Sequence, residues 1–233
     1  MPTRKTVFAN GEFYHVYNRG VDKRIIFSDK SDVDRFFQCM VSFNSIDPVG
    51  SLYELSLGGK DKLKSNRHKY QLGGETAKLV NIVAYCLNPN HFHFILEQVR
   101  DGGISEFMKR MGGYTWYFNN KYKRSGSLFQ GVFKSIHIDS NEYLLHVSAY
   151  VNLNNRVHKL GGETAEFAKF VGSVSSWEEY IGEGKNGAGI CTKDIILEQF
   201  KGRKEYKEFA MASLRTIRER KDELKGIKGL LLE

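Results

Sequence analysis

Two β-rich runs, KLVNIVAYCL (residues 78–87) and HFHFILEQV (residues 91–99), stand on either side of Asn88-Pro89-Asn90. Proline cannot donate to a strand ladder and asparagine tolerates turn geometry, so these three residues read as a turn. A connection this short joins neighbouring strands only in the antiparallel sense. The chain must contain this hairpin, and everything else has to be arranged around it.

Upstream, FYHVYNRGV (residues 13–21) alternates apolar and polar side chains before Asn-Arg-Gly, which predicts a strand entering a turn. SDKSDVDRFFQCMVSFNSI (residues 28–46) follows, with Ser28 or Ser31 as a cap and Val33, Phe36, Phe37, Met40 and Phe43 on one helical face. Residues 45–77 are rich in Gly, Lys and Ser and lack periodicity apart from SLYELSL, as expected of a loop insertion.

Downstream, Ile104, Phe107, Met108 and Met111 have helical spacing. GVFKSIHIDS (residues 131–140) alternates as a strand, and NEYLLHVSAYVNLNNRV (residues 141–157) is helical. The order β, α, β, β, α, β, α is that of an α+β, ferredoxin-like layer: an antiparallel sheet backed by helices on one face, with the other face left open for a ligand. We expect one main domain over residues 1–182, a Gly-rich linker over 183–192 and a helical C-terminal tail over 193–233. LGGETAKL (residues 72–79) and LGGETAEF (residues 160–167) echo each other but lack the repeat length of a solenoid.

In a strand, side chains two apart project from one face, so His91 and His93 are presented together while Phe92 points into the core. A His-x-His pair on a strand is either two partly buried histidines with backbone partners or two nitrogens aimed at one metal ion. Tyr150 and Asn154 lie four apart on the expected helix and so share a face, where a phenol and an amide oxygen can meet the same ion. The alternative is a core tyrosine, and Tyr143, two turns earlier on nearly the same face, is its rival.

Taken in order, FYHVYNRG, NPNHFHFIL, SGSLFQGVFKS, YLLHVSAYVNLN and SSWEEYIG make the chain resemble the single-tyrosine HUH transposases, in particular the branch associated with repetitive extragenic palindromes in bacteria. The resemblance spans residues 13–182. It implies that His91 and His93 are the metal ligands of the HUH element, that Tyr150 is the nucleophile and that Asn154 is the third protein ligand. One departure stands out: relatives commonly continue the helix motif as Asn-Pro-Val, whereas here Asn154 is followed by Asn155 and Arg156.

The family's chemistry is Tyr attack on a single-stranded DNA phosphodiester beside a hairpin, and the implied cofactor is a divalent metal, Mg²⁺ or Mn²⁺. Nitrogen ligands favour Mn²⁺ on affinity, and Mg²⁺ is the abundant ion in cells. The implied partner is single-stranded DNA carrying a palindromic hairpin, bound by a monomer or a homodimer. Glu97 shares strand parity with the histidines and reads as either an assisting group or a solvated strand end.

Lys and Arg number 35 against 27 Asp and Glu, a formal charge of +8, which suits a polyanionic partner. Among the residues in family motifs, Asn18, Arg19, Gln130 and Lys134 are expected at DNA, together with Arg124. GGYTWYFNNKYKRSG (residues 112–126) interleaves Tyr114, Trp116, Tyr117 and Tyr122 with Lys121, Lys123 and Arg124, either as an aromatic groove for single strands or as a helix with one apolar and one solvated basic face. The charged stretch KGRKEYKEFAMASLRTIRERKDELKG (residues 201–226) reads as a solvated helix, or else as an element for hairpin binding or self-association.

The three cysteines are widely spaced and lack a C-x-x-C pair, so neither a disulfide framework nor a zinc ribbon is indicated, and a reducing cytoplasm fits. No signal-peptide core and no run of eighteen apolar residues occurs, so no membrane partner is expected. Two readings of other classes stand beside the enzyme: a non-cleaving DNA- or RNA-binding regulatory module on the same sheet, and a zinc-bound structural protein. The last is weakened because no cysteine accompanies the histidines at ligand spacing.

Overall fold

The computed structural model describes residues 6–47, 77–157, 175–182 and 189–230. Its first strand, β1 (Phe13–Arg19), leads through a short 3-10 turn to α1 (Lys30–Ser42). The expected hairpin follows as β2 (Val80–Asn88) and β3 (His91–Gln98). Two helices, α2 (Gly103–Met111) and α3 (Tyr114–Lys121), precede β4 (Lys134–Ile138). Then come α4 (Asn141–Asn152), α5 (Asn154–Val157), α6 (Trp177–Ile181), α7 (Asp194–Leu197) and α8 (Arg203–Leu230).

The four strands form one antiparallel sheet in the order β2-β3-β1-β4, the ferredoxin-like arrangement the element order predicts. The turn joining β2 to β3 is held from outside as well as by its own geometry. Pro89 and Asn90 offer carbonyls that accept N–H groups from Ile26 (2.7 Å), Phe27 (3.1 Å) and Gly20 (2.8 Å), so the segment after β1 clamps the hairpin tip.

Two apolar cores flank the sheet. On one face Tyr14, Val16, Phe92, Phe94 and Leu96 pack against Phe36, Met40, Phe107 and Met111 of α1 and α2. The other face was expected to be open, and it is not. Ala84, Cys86, Ile95 and Ile138 pack there against Leu144, Val147 and Val151 of α4, with Trp177, Tyr180 and Tyr206 behind them. A bulge in β2 between Ile82 and Ala84 makes this possible: Ile82 stays with the first core while Val83, Ala84 and Cys86 join the second. The carbonyls at the bulge are satisfied by Thr192 N–H, on Ile82 O, and Tyr180 Oη–H, on Val83 O, both at 2.8 Å.

The N-cap of α1 is Asp29, not the expected Ser28 or Ser31. Its carboxylate accepts the Asp32 N–H, Asp32 reaches back in a capping box, and Ser31 Oγ donates to Asp29 at 2.8 Å. Asp32 is fully buried and takes Lys121 Nζ at 2.7 Å, while Lys121 also reaches Asp29 at 2.7 Å. Tyr122 Oη donates to Asp32 at 2.8 Å, and Tyr114, also buried, donates to Ile26 O at 2.6 Å. These contacts staple α3 to α1. Of the aromatic groove read from residues 112–126, Tyr114 and Lys121 belong to the interior framework, and Trp116, 61 % exposed, stays at the surface.

The charged tail sequence hides an apolar stripe. Tyr206, Ala210 and Leu214 of α8 are buried against α4 and α6, and Phe209 and Ile217 lean on the same core. A buried polar chain fastens this packing: Tyr206 Oη accepts Asn152 Nδ2 (2.8 Å) and lies 3.2 Å from Ser148 Oγ. Asn152 Oδ1 takes the Ser176 hydroxyl at 2.6 Å, and Ser176 Oγ accepts the β2 amide of Tyr85 at 2.9 Å. Most of the expected insertion over 45–77 and the LGGETA echo fall outside the described residues, and among these no helix is long and apolar enough to cross a membrane.

Candidate functional site

Sheet register decides which side chains share a surface. Across the second face, Cys86, His93, Tyr17 and Lys134 form one transverse row, and Asn88, His91 and Arg19 form the next. The first row starts in the core and ends at an exposed lysine; the second ends at an exposed arginine. His91 is half-buried and His93 is buried, 7 % exposed.

The two imidazoles sit edge to face, their ring centroids 5.2 Å apart. Tyr150 approaches from α4 with its ring 5.6 Å from that of His93, edge-on. The expected helix does not run unbroken to Asn154: α4 stops at Asn152, Leu153 leaves helical geometry (φ −109°, ψ 13°), and Asn154 opens α5. Asn154 nevertheless comes to the same place. Its Oδ1 lies 3.3 Å from His91 Nε2 and accepts Asn88 Nδ2 at 2.9 Å, while Asn90 Oδ1 holds His91 Nδ1 at 2.6 Å.

Burial raises the Tyr150 phenol above its usual value, and a hydrogen bond with the Asn154 side chain opposes that shift. Tyr143, the rival tyrosine, stands at the rim, 37 % exposed. It shares with Tyr150, Tyr17, His15, His93 and Ile217 a cavity of about 460 Å³. Glu97 lies toward the opposite end of β3, opposite Phe13, where it accepts Asn81 Nδ2 at 2.9 Å, away from both histidines.

Among the described residues no three His, Cys, Asp or Glu side chains gather as a metal site, and the side-chain oxygen that stands beside His91 Nε2 is that of the Asn154 amide. Asn154 fits. It is wholly buried, its oxygen is steered by Asn88, and the 3.3 Å to His91 Nε2 is close to the span of adjacent ligands around an octahedral ion with bonds of roughly 2.1 Å. Asn88 Oδ1 is a buried polar atom without a partner in the protein, and the Asn154 side chain also bonds the Tyr150 phenol. None of these donors carries a charge, so a divalent ion held here keeps its full attraction for a phosphate.

The residues expected at DNA separate into two groups. Arg19, beside His91, and Lys134, beside Tyr17, are exposed on the site face. Gln130 Oε1 accepts Arg19 Nε, and Asn18 Nδ2 reaches Gly131 O at 3.2 Å, so the 128–131 loop orients both. Arg124 instead ties the 122–127 segment to the end of α3 through Asn119 Oδ1 and Ser127 O (3.2 Å).

Three residues of the site escaped the sequence reading: His15, Tyr17 and Asn88. His15 Nε2 lies 2.8 Å from His93 Nδ1, and burial lowers its pKa to about 4. The period-two pattern of FYHVYNRG places His15, Tyr17 and Arg19 on one face, but which face only the pairing with β3 reveals.

Comparison with curated proteins gives no match. Among solved structures the chain is similar to one described as "Structure of the REP associates tyrosine transposase bound to a REP hairpin", at 11 % identity and a TM-score of 0.43 over 79 % of this chain and 87 % of that one. A family model described as "Transposase IS200 like" matches residues 60–154. That stretch holds both hairpin strands, His91, His93, Tyr150 and Asn154, so the segment of the chain that bears the site is the segment similar to the IS200-like transposases.

Proposed function

We propose that the protein is a metal-dependent single-stranded DNA endonuclease and strand transferase that cuts beside a hairpin. The observation that carries this reading is the meeting of Tyr150, from α4, with the two imidazoles of β3 and the Asn154 amide. A half-buried phenol beside two imidazoles and a fixed amide has a direct use in phosphoryl transfer.

The Tyr150 oxygen attacks the phosphorus and its proton leaves to solvent. The bond to the 3′ oxygen breaks, and that oxygen takes up a proton to become a free 3′-hydroxyl. The product is a 5′-phosphotyrosine ester, which conserves the phosphodiester energy, so the reverse attack by a 3′-hydroxyl rejoins strands without ATP. His91, His93 and Asn154 are the residues that would hold Mg²⁺ or Mn²⁺, which supplies charge neutralisation at a non-bridging phosphate oxygen. Arg19 and Lys134 border that position and suit the flanking phosphates.

Incubating the chain with a hairpin-bearing single strand and Mg²⁺ or Mn²⁺, then resolving the mixture on a denaturing gel, tests the proposal. A covalent adduct is expected from the wild type and from Tyr143→Phe, and none from Tyr150→Phe or in the presence of a chelator. An adduct that survives Tyr150→Phe refutes the nucleophile. Tight DNA binding without any adduct under either metal points to a non-cleaving module.

A further inference from the structure

We propose that His15 is a positioning residue that fixes the tautomer of His93, so that His93 presents Nε2 to the divalent ion. The inference rests on the metal-dependent reading above and adds a residue to it.

His15 sits on β1, two residues before the strand partner of His93, and is 7 % exposed. Its ring plane is within 19° of that of His93, the centroids are 5.1 Å apart, and Nε2 and Nδ1 are separated by 2.8 Å. A centroid separation equal to the nitrogen–nitrogen distance plus two ring radii means that the rings meet end to end, nearly in one plane. Imidazole lone pairs and N–H bonds lie in that plane, so this is a directed N–H···N hydrogen bond and not a stack.

Such a contact holds one proton. Two lone pairs repel and two N–H bonds collide. With the proton on His93 Nδ1, the Nε2 of His93 carries a lone pair and can ligate; with it on His15 Nε2, the neutral His93 ring has its remaining hydrogen on Nε2 and cannot. Nδ1 is no substitute, because His15 covers it. Only the first arrangement serves an ion, and it casts His15 Nε2 as the acceptor. His15 is not a ligand itself, since that nitrogen is spent on His93. Tyr17 lies alongside both rings (5.0 and 5.6 Å) and Tyr150 meets both edge-on (5.9 and 5.6 Å), which holds the pair in register. Ligating histidines characteristically give their second nitrogen to such a partner, and a second imidazole does here what a carboxylate does elsewhere, without adding negative charge near a phosphate.

Two measurements on the full chain test the assignment. Long-range ¹⁵N NMR of the imidazoles with Mg²⁺ present should find His93 protonated at Nδ1 and bare at Nε2; the opposite tautomer overturns the proposal. Mn²⁺ titration followed by electron paramagnetic resonance should show affinity falling about 10- to 100-fold in His15→Phe, and largely restored in His15→Gln, whose amide oxygen can accept. Unchanged Mn²⁺ affinity in a folded His15→Phe, alongside loss in His91→Ala, sinks the positioning role and leaves the metal site standing. Equal Mn²⁺ binding by wild type, His91→Ala and His93→Ala removes the metal-dependent reading itself. Should His15→Phe fail to fold, the wild-type tautomer and the Mn²⁺ affinity of His15→Gln still separate these outcomes.

Discussion

Asn88, on the last position of β2, donates its side-chain amide to Asn154 Oδ1 at 2.9 Å, across the joint between α4 and α5. Both side chains are fully buried, and the same Asn88 Nδ2 is 3.1 Å from His91 Nε2. A strand end thus aims the amide of a helix start at the histidine opposite. Replacing Asn88 with Ala should lower Mn²⁺ affinity about ten-fold or more and cost about 1–3 kcal/mol of stability, because a buried acceptor loses its donor. Titration and urea unfolding of the same variant check both; unaltered affinity would mean that Asn154 needs no guide.

Arg19 and Arg124 should part company on substitution. Arg19 is exposed beside His91 and engages only Gln130 among the described side chains, so Arg19→Ala should leave stability within about 0.5 kcal/mol. It should weaken DNA binding and reduce the salt slope of the affinity by about one. Arg124→Ala should instead loosen the 122–127 segment, which its hydrogen bonds tie to the end of α3, and hydrogen exchange of that segment reads the difference.

Lys121→Met tests the staple between α3 and α1. Asp32 is wholly buried and Lys121 only 25 % exposed, so removal of the ammonium strands a carboxylate in the interior. We expect a loss of about 3 kcal/mol, the lower end for a broken buried pair, because Tyr122 and the Ser28 N–H still bond Asp32. A loss confined to DNA affinity, with stability intact, would return Lys121 to a groove for single strands.

The acid limb of stability should carry the mark of Asp29. Partial burial alone would raise its carboxyl, but hydrogen bonds from Lys121, Ser31 and the Asp32 N–H prevail and bring it from 3.8 to about 2. A folded-state value below the unfolded one adds stability that is complete above pH 3.8 and drains away as the pH falls toward 2. The carboxylate is half exposed, which keeps the effect modest. Asp29→Asn retains a capping oxygen and should flatten the melting temperature across that window.

Much of this was legible in the chain, for reasons specific to each element. The Asn-Pro-Asn turn demanded a hairpin, and strand parity put His91 and His93 on one side whatever surrounded them. Parity cannot say what lies across the next strand, and for that reason His15 and Asn88 went unread: their roles come from the β1–β3 and β2–β3 registers. Helical spacing brought Tyr150 and Asn154 together for a reason that does not hold, since Leu153 ends the helix between them. The stripe of Tyr206, Ala210, Leu214 and Ile217 was present at helical intervals, but abundant Lys, Arg and Glu masked it. Lys121 was misjudged because its partners, Asp29 and Asp32, are far away in sequence.

The non-helical turn at Leu153 alters what separates Tyr150 from Asn154. In a continuous helix the two would be bound to one rod, and any rotation of the phenol would drag the amide with it. Here the two ride different helical axes joined at a buried leucine, so α4 sets the place of the Tyr150 phenol while α5 and Asn88 set that of the Asn154 amide.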